Sequence, residues 1–174
     1  MSGRKASRDT QWIRDAFDRY EGPLVRYAMR LTGNLESARD VVQDTFLRLC
    51  QQEHEKLDGR VKEWLFAVCR HRAIDSLRKE RRMDALGDRE PAAVEPDRVE
   101  QRDEERQVLA RIRALPARER EVLRLKFHEG LSYRQISAVT ELSVSNVGFL
   151  LHRAIRTLRR QLGDGVATTG RNPS

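Results

Sequence analysis

Apolar residues in this chain recur every three or four positions from Trp12 to Leu162, and nowhere is β-branched alternation sustained over the length of a strand. That period restricts the chain to helices that each bury one stripe, an all-α fold. The first stripe, Trp12, Ile13, Phe17 and Tyr20, is expected to end at Gly22-Pro23, with the proline opening a second helix over 24–31. Gly33 closes that helix, and Asn34 caps a longer one whose shared face carries Leu35, Ala38, Val42, Phe46 and Leu49. The polar stretch 51–59 breaks the pattern. A fourth helix over 61–82 buries Trp64, Leu65, Val68, Cys69, Ala73 and Leu77.

Residues 83–107 change character, with nine acids against four arginines, two prolines and few large apolar side chains. This composition reads as a flexible acidic linker between two small helical domains, 10–82 and 108–162. The second domain carries Val108, Leu109, Ile112 and Leu115, then Pro116 at a helix start and the stripe Val122, Leu123, Leu125 and Phe127, with Gly130 placed as a C-cap. Ser132 and Gln135 are spaced as a capping box for a short helix through Val139. After Thr140-Glu141-Leu142, Ser143 caps a long helix. Its inward stripe is Val144, Val147, Leu151, Ala154 or Ile155, Leu158 and Leu162, which leaves Ser145, Asn146, Phe149, His152, Arg153, Arg156, Arg159 and Arg160 outward. Residues 163–174 read as a disordered tail.

Charge narrows the function. Charged residues make up 35% of the chain, the net charge is +7, and 29 of the 34 basic residues are arginine, so a polyanionic partner is expected. No run approaches the roughly 20 apolar residues of a membrane span, and the N-terminus lacks a secretory apolar segment, so a cytoplasmic protein without membrane insertion is expected. Cys50 and Cys69 have neither a disulfide-framework count nor a metal-ligand spacing, and both read as small buried thiols. The four histidines (54, 71, 128 and 152) are scattered, and there is no glycine-rich phosphate loop or recognisable nucleophile and base. The expectation is a binding protein with no catalytic residues, metal or cofactor.

A short capped helix, a three-residue turn and a longer helix with a basic outer face make a helix-turn-helix, whose second helix can enter a major groove. A plain helical hairpin has the same spacing, but five arginines (134, 153, 156, 159 and 160) against Glu141 over 134–162 favour DNA. The helix over 61–82 is basic as well, with eight cations against three acids over 60–82. Trp64 and Phe66 at its start suit bases of melted nucleic acid, or else simply pack the core.

The runs DVVQDTFLR (40–48), WLFAVCRHRAIDSLR (64–78), ALPAREREVLRL (114–125), LSYRQIS (131–137) and VSNVGFLLHRA (144–154) together resemble bacterial RNA polymerase sigma factors of the extracytoplasmic-function (ECF) group, over about residues 10–162 and in the family's order. The resemblance implies that the first domain is sigma region 2, a helical bundle that binds core RNA polymerase and melts the minus-10 element. It implies that the second is region 4, whose helix-turn-helix reads the minus-35 element. Promoter DNA and an anti-sigma factor are the other implied partners. Asp40, Gln43, Asp44, Phe46 and Arg48 match the polymerase-binding helix, although Phe46 also suits a core position and the two aspartates suit solvated acids. The segment 54–62 matches the loop that captures a flipped base. Arg60, Lys62, Trp64, Arg70, Arg72 and Arg78 then fall to the minus-10 element, and Arg134, Ser145, Asn146, Phe149, His152, Arg153 and Arg156 to the minus-35 element. Departures from the family pattern are Val61 for Phe, His71 for Asn, Glu141 for Gly, and Gly148 and Leu150 for Lys and Arg. An autonomous helix-turn-helix regulator, which would bind DNA tightly without polymerase, and a helical adaptor without salt-sensitive DNA affinity are the competing readings.

Overall fold

The structure, a computed structural model, describes the backbone of residues 3–57, 59–84 and 103–166 and the side chains of 11–57, 59–82 and 107–162. Its elements are α1 (Gly3–Thr32), α2 (Leu35–Leu49), α3 (His54–Leu57), α4 (Val61–Asp84), α5 (Asp103–Ala114), α6 (Ala117–Phe127), α7 (Tyr133–Thr140) and α8 (Val144–Val166), with no strand among the described residues. The chain divides into two compact units, 1–96 and 97–174. Most of the acidic stretch expected as a linker, and the end of the expected tail, lie outside the described residues. At the edges of both, helix replaces the expected irregular chain: α4 runs to Asp84, α5 begins at Asp103, and α8 continues to Val166. Asp103, Glu104 and Glu105 stand in the first turn of α5, where acids favour a helix N-terminus.

In the first unit α1, α2 and α4 pack against one another. Gly22-Pro23 does not divide α1, contrary to the expectation from sequence. Proline in a helix removes a backbone donor and strains the residue before it, but glycine at that preceding position has no Cβ to clash with the proline ring. Burial of Leu24, Tyr27 and Ala28, the turn and a half that follows, offsets what remains. α1 ends at Gly33, whose N–H still reaches Met29 O at 2.9 Å and whose φ of 86° turns the chain out of the helix. Asn34 caps α2 as expected, its Oδ1 accepting from the Ser37 N–H at 2.7 Å.

The bundle core contains Leu24, Ala28, Ala38, Val42, Leu49, Leu65, Phe66, Cys69 and Ala73. Phe66 is fully buried with its ring centroid 5.3 Å from that of Tyr27, so it is a core residue and unavailable to stack on a base. Cys69 is buried as expected. Cys50 is exposed, because it follows the last buried residue of α2 and forms that helix's C-cap.

In the second unit α6, α7 and α8 pack together around Val122, Leu125, Leu131, Ile136, Val139, Val147, Leu151 and Ala154. Four residues of the expected apolar stripes are exposed instead: Val108 on α5, Phe127 at the end of α6, Val144 at the first position of α8 and Leu162 near its end. Gly130 closes α6 with φ 66°, a conformation costly for any residue with a Cβ, and allows the Leu131 N–H to return to Leu125 O at 2.9 Å.

Candidate polymerase and nucleic-acid interfaces

At roughly 100° per residue, Asp40, Gln43, Asp44, Leu47 and Arg48 share the outer face of α2. Asp40, Gln43, Leu47 and Arg48 are exposed and Asp44 is half-buried. Phe46 lies on the opposite face, 6% exposed, with its ring centroid 4.9 Å from that of Phe17. It supports the helix from within and offers no surface to a partner. Leu47, absent from the sequence-based set, stands amid the polar residues at 57% exposure. Its position three and four residues from Asp44 and Gln43 is the signal that places it there.

The Asp44 carboxylate connects two groups of residues that the sequence assigns to different partners. Arg48 Nε donates to Asp44 Oδ2 at 3.0 Å along α2, while Arg72 Nε on α4 lies 2.5 Å from the same oxygen. The Arg72 N–H is not aligned for a hydrogen bond, so that contact is an ion pair. Arg72 also stands 4.0 Å from Asp75. Its guanidinium is thus engaged within the protein.

The remaining minus-10 candidates do not share one face of α4. Arg60, which precedes α4, and Arg78 are exposed, Trp64 is half-buried on the same side of α4 as Arg78, and Arg70 points to the flank opposite Arg72. Lys62 is half-buried and, like Arg70, has a partner within the protein. At the start of the segment 54–62, α3 sets the His54 ring centroid 4.9 Å from that of Trp12 on α1.

The helix-turn-helix forms through the expected caps. Ser132 Oγ accepts from the Gln135 N–H at 3.3 Å, and Gln135 Oε1 accepts from the Ser132 N–H at 2.9 Å. Glu141 occupies the turn with φ 60° and ψ 20°, the left-handed conformation that accounts for a preference for glycine at this position. Ser143 Oγ accepts from the Asn146 N–H at 3.2 Å and caps α8.

On α8 the exposed residues Ser145, Phe149, His152 and Arg156 fall within roughly 60° of one another, opposite buried Val147, Leu151 and Ala154. Asn146 and Arg153, expected on the same outward stripe, lie about a quarter turn to one flank. Arg153 Nε and Nη2 both approach Oε1 of the buried Glu119 on α6, with Nε donating a hydrogen bond, and its guanidinium carbon stands 5.5 Å from the centre of the Phe149 ring. Leu150 is buried at 6%, so the apolar residue at that position serves the core. Gly148 leaves room against the Tyr133 ring, and Arg134 is exposed on α7.

Two sigma-70 families match this chain, region 2 over residues 16–83 and region 4 over residues 105–158. Over 165 residues it is 32% identical to the ECF RNA polymerase sigma factor SigL of Mycobacterium tuberculosis, covering 90% of this chain and 92% of that protein. The chain belongs to the sigma-70 family. It falls in the ECF group, with 28% identity over 158 residues to the ECF factor SigM of Bacillus subtilis, covering 88% and 97% of the two chains. Its fold resembles that of a sigma factor, RpoE of Bartonella quintana, solved in complex with the anti-sigma factor NepR (TM-score 0.66, 23% identity, 86% of this chain and 96% of that one). In this sigma factor, α2 and all but the last residue of α4 lie within the region 2 match, and α6, α7 and the first fifteen residues of α8 lie within the region 4 match. Among the described residues, no cluster of three or more His, Cys, Asp or Glu could hold a metal ion, and no helix is long and apolar enough to cross a membrane.

Proposed function

We propose that this sigma factor binds core RNA polymerase through the outer face of α2, engages and melts the minus-10 element through the first unit, and reads the minus-35 element with α8. The observation that carries the reading is the doubly capped helix-turn-helix, whose second helix presents Ser145, Phe149, His152 and Arg156 on one exposed stripe. A helix so presented can lie in the major groove with its N-terminal residues at base edges and its later arginines at phosphates. Trp64 and Arg78, on one side of α4, and Arg60, just before its first turn, are the best-placed groups for the opened minus-10 strand. The basic charges follow its backbone, and the half-buried indole offers an edge or part of a face to a base. Arg72 acts indirectly, holding α4 against α2 through Asp44. An anti-sigma factor is the expected protein antagonist.

Run-off transcription with purified core RNA polymerase and a library of promoters tests the whole reading. Initiation at a defined subset of promoters, dependent on this chain, is expected. Tight sequence-specific binding by the free chain, with no stimulation of core polymerase, would instead support an autonomous regulator.

A further inference from the structure

Phe149 is the largest exposed side chain on the N-terminal half of α8, 60% exposed in the middle of the stripe assigned above to DNA. Its ring points away from the core formed by Val147, Leu151 and Ala154 and toward the side of α8 that would face a groove. The ring is also braced. The Arg153 guanidinium lies over it, and the buried Glu119 carboxylate in turn holds that guanidinium. Beside Phe149, the Tyr133 ring stands 3.6 Å from where a Cβ at Gly148 would be, an ordinary contact distance. Lys126 Nζ approaches the Tyr133 ring at 5.4 Å. Of the four residues on that stripe, Ser145, Phe149, His152 and Arg156, Phe149 alone is apolar, and Arg153 holds its ring from one side.

A ring with no donor or acceptor in its plane cannot read the hydrogen-bond pattern of a base edge. The apolar feature that the major groove offers is the 5-methyl group of thymine. Cytosine at the same position presents only a C5–H where thymine carries the methyl, so the ring loses that contact. Resting on the minus-35 assignment above, the geometry points to Phe149 as an apolar reader of one thymine methyl in the upstream promoter element. Arg153 and Glu119 are positioning residues for that contact.

The test uses holoenzyme assembled from core polymerase and the full chain. Duplexes randomised over the upstream window are selected for binding, and each thymine of the enriched duplex is then replaced singly by deoxyuridine, which removes only the methyl group. At one position the wild-type holoenzyme should lose roughly three- to fivefold in affinity, the value of one buried methyl. With Phe149→Ser, thymine and deoxyuridine should bind equally there, whereas Phe149→Leu should keep part of the discrimination. Both variants should unfold at the wild-type urea midpoint, because the ring is on the surface. An enriched duplex with no methyl-sensitive position, or sensitivity that persists in Phe149→Ser, would overturn the inference alone. Failure to enrich any upstream sequence would overturn the minus-35 reading and this inference with it.

Discussion

Arg153 on α8 directs two of its guanidinium nitrogens at a single oxygen of Glu119 on α6, whose side chain is buried to within a few per cent. A buried carboxylate deprived of its cation is costly, and about half of the Arg153 side chain is in contact with protein rather than water. Arg153→Ala should therefore destabilise the second unit by about 2 kcal/mol, below the roughly 3–5 kcal/mol of a fully buried pair because the arginine is part-exposed. Combining it with Glu119→Leu should recover most of that loss. Thermal unfolding by circular dichroism, with hydrogen exchange at Val147 and Leu151, measures both. A double variant no more stable than Arg153→Ala alone would rule out the buried charge as the cause.

The α2 face separates binding from stability. Gln43→Arg and Leu47→Asp should each weaken core-polymerase binding by roughly tenfold at an unchanged urea midpoint. Asp44→Arg should weaken binding too, but it places a third cation beside Arg48 and Arg72 and so should also lower stability. That added loss should stay near 1 kcal/mol, since all three side chains are more than one-third exposed. Wild-type core affinity in both Gln43→Arg and Leu47→Asp would remove the polymerase from this face.

Burial pushes the Cys69 thiol up from 9.0 to about 12, against a smaller lowering by the Thr45 hydroxyl. Between those values the unfolded chain releases the proton and the folded chain keeps it, so stability falls as pH rises, by about 1.4 kcal/mol per unit. Below about pH 9 both states hold the proton and this contribution is constant. Cys69→Ala should be less stable than wild type near neutral pH because of the cavity it leaves, and the gap should narrow between about pH 9 and 10.5. Urea unfolding at several pH values checks this, and parallel curves would acquit the thiol. In native protein, Cys50 should react with iodoacetamide well before Cys69.

Two single substitutions in the helix-turn-helix should stabilise it for opposite reasons. Glu141→Gly relieves the left-handed backbone of the turn, and Gly148→Ala adds helix propensity where a Cβ meets only the Tyr133 ring at ordinary contact distance. Each is expected to contribute about 1 kcal/mol, read as a rise in unfolding temperature. A fall with Gly148→Ala would show that the Tyr133 ring cannot accommodate the methyl group.

Arg156→Ala should weaken binding to all promoters alike and reduce the magnitude of the log-affinity salt slope by roughly one, as expected for one lost phosphate contact. Holoenzyme binding titrated against salt concentration measures the slope. A changed base preference with an unchanged slope would place Arg156 at a base edge.

The caps of this sigma factor and most of its helices, though neither α3 nor the unbroken α1, were legible in the sequence because each depends on neighbours a few residues away. Asn34 and Ser37, Ser132 and Gln135, Ser143 and Asn146 meet wherever a helix begins, and Gly33 and Gly130 stop a helix by their own backbone freedom. The family motifs are local in the same sense, and they fall on α2, α4, α6, α7 and α8. Which way a side chain points, and what neutralises it, depends on segments distant in the chain. Pro23 remains helical because the residues after it bury against α2 and α4. Phe46 and Phe66 are core residues because Phe17 and Tyr27 lie beside them. Arg72 and Arg153 resembled free DNA contacts until Asp44, 28 residues away, and Glu119, 34 residues away, came within ion-pair distance. Local periodicity thus indicated most of the helices. Packing between helices decided which of their charged and aromatic residues remain available to polymerase and DNA, because burial and counter-ions are properties of the assembled unit.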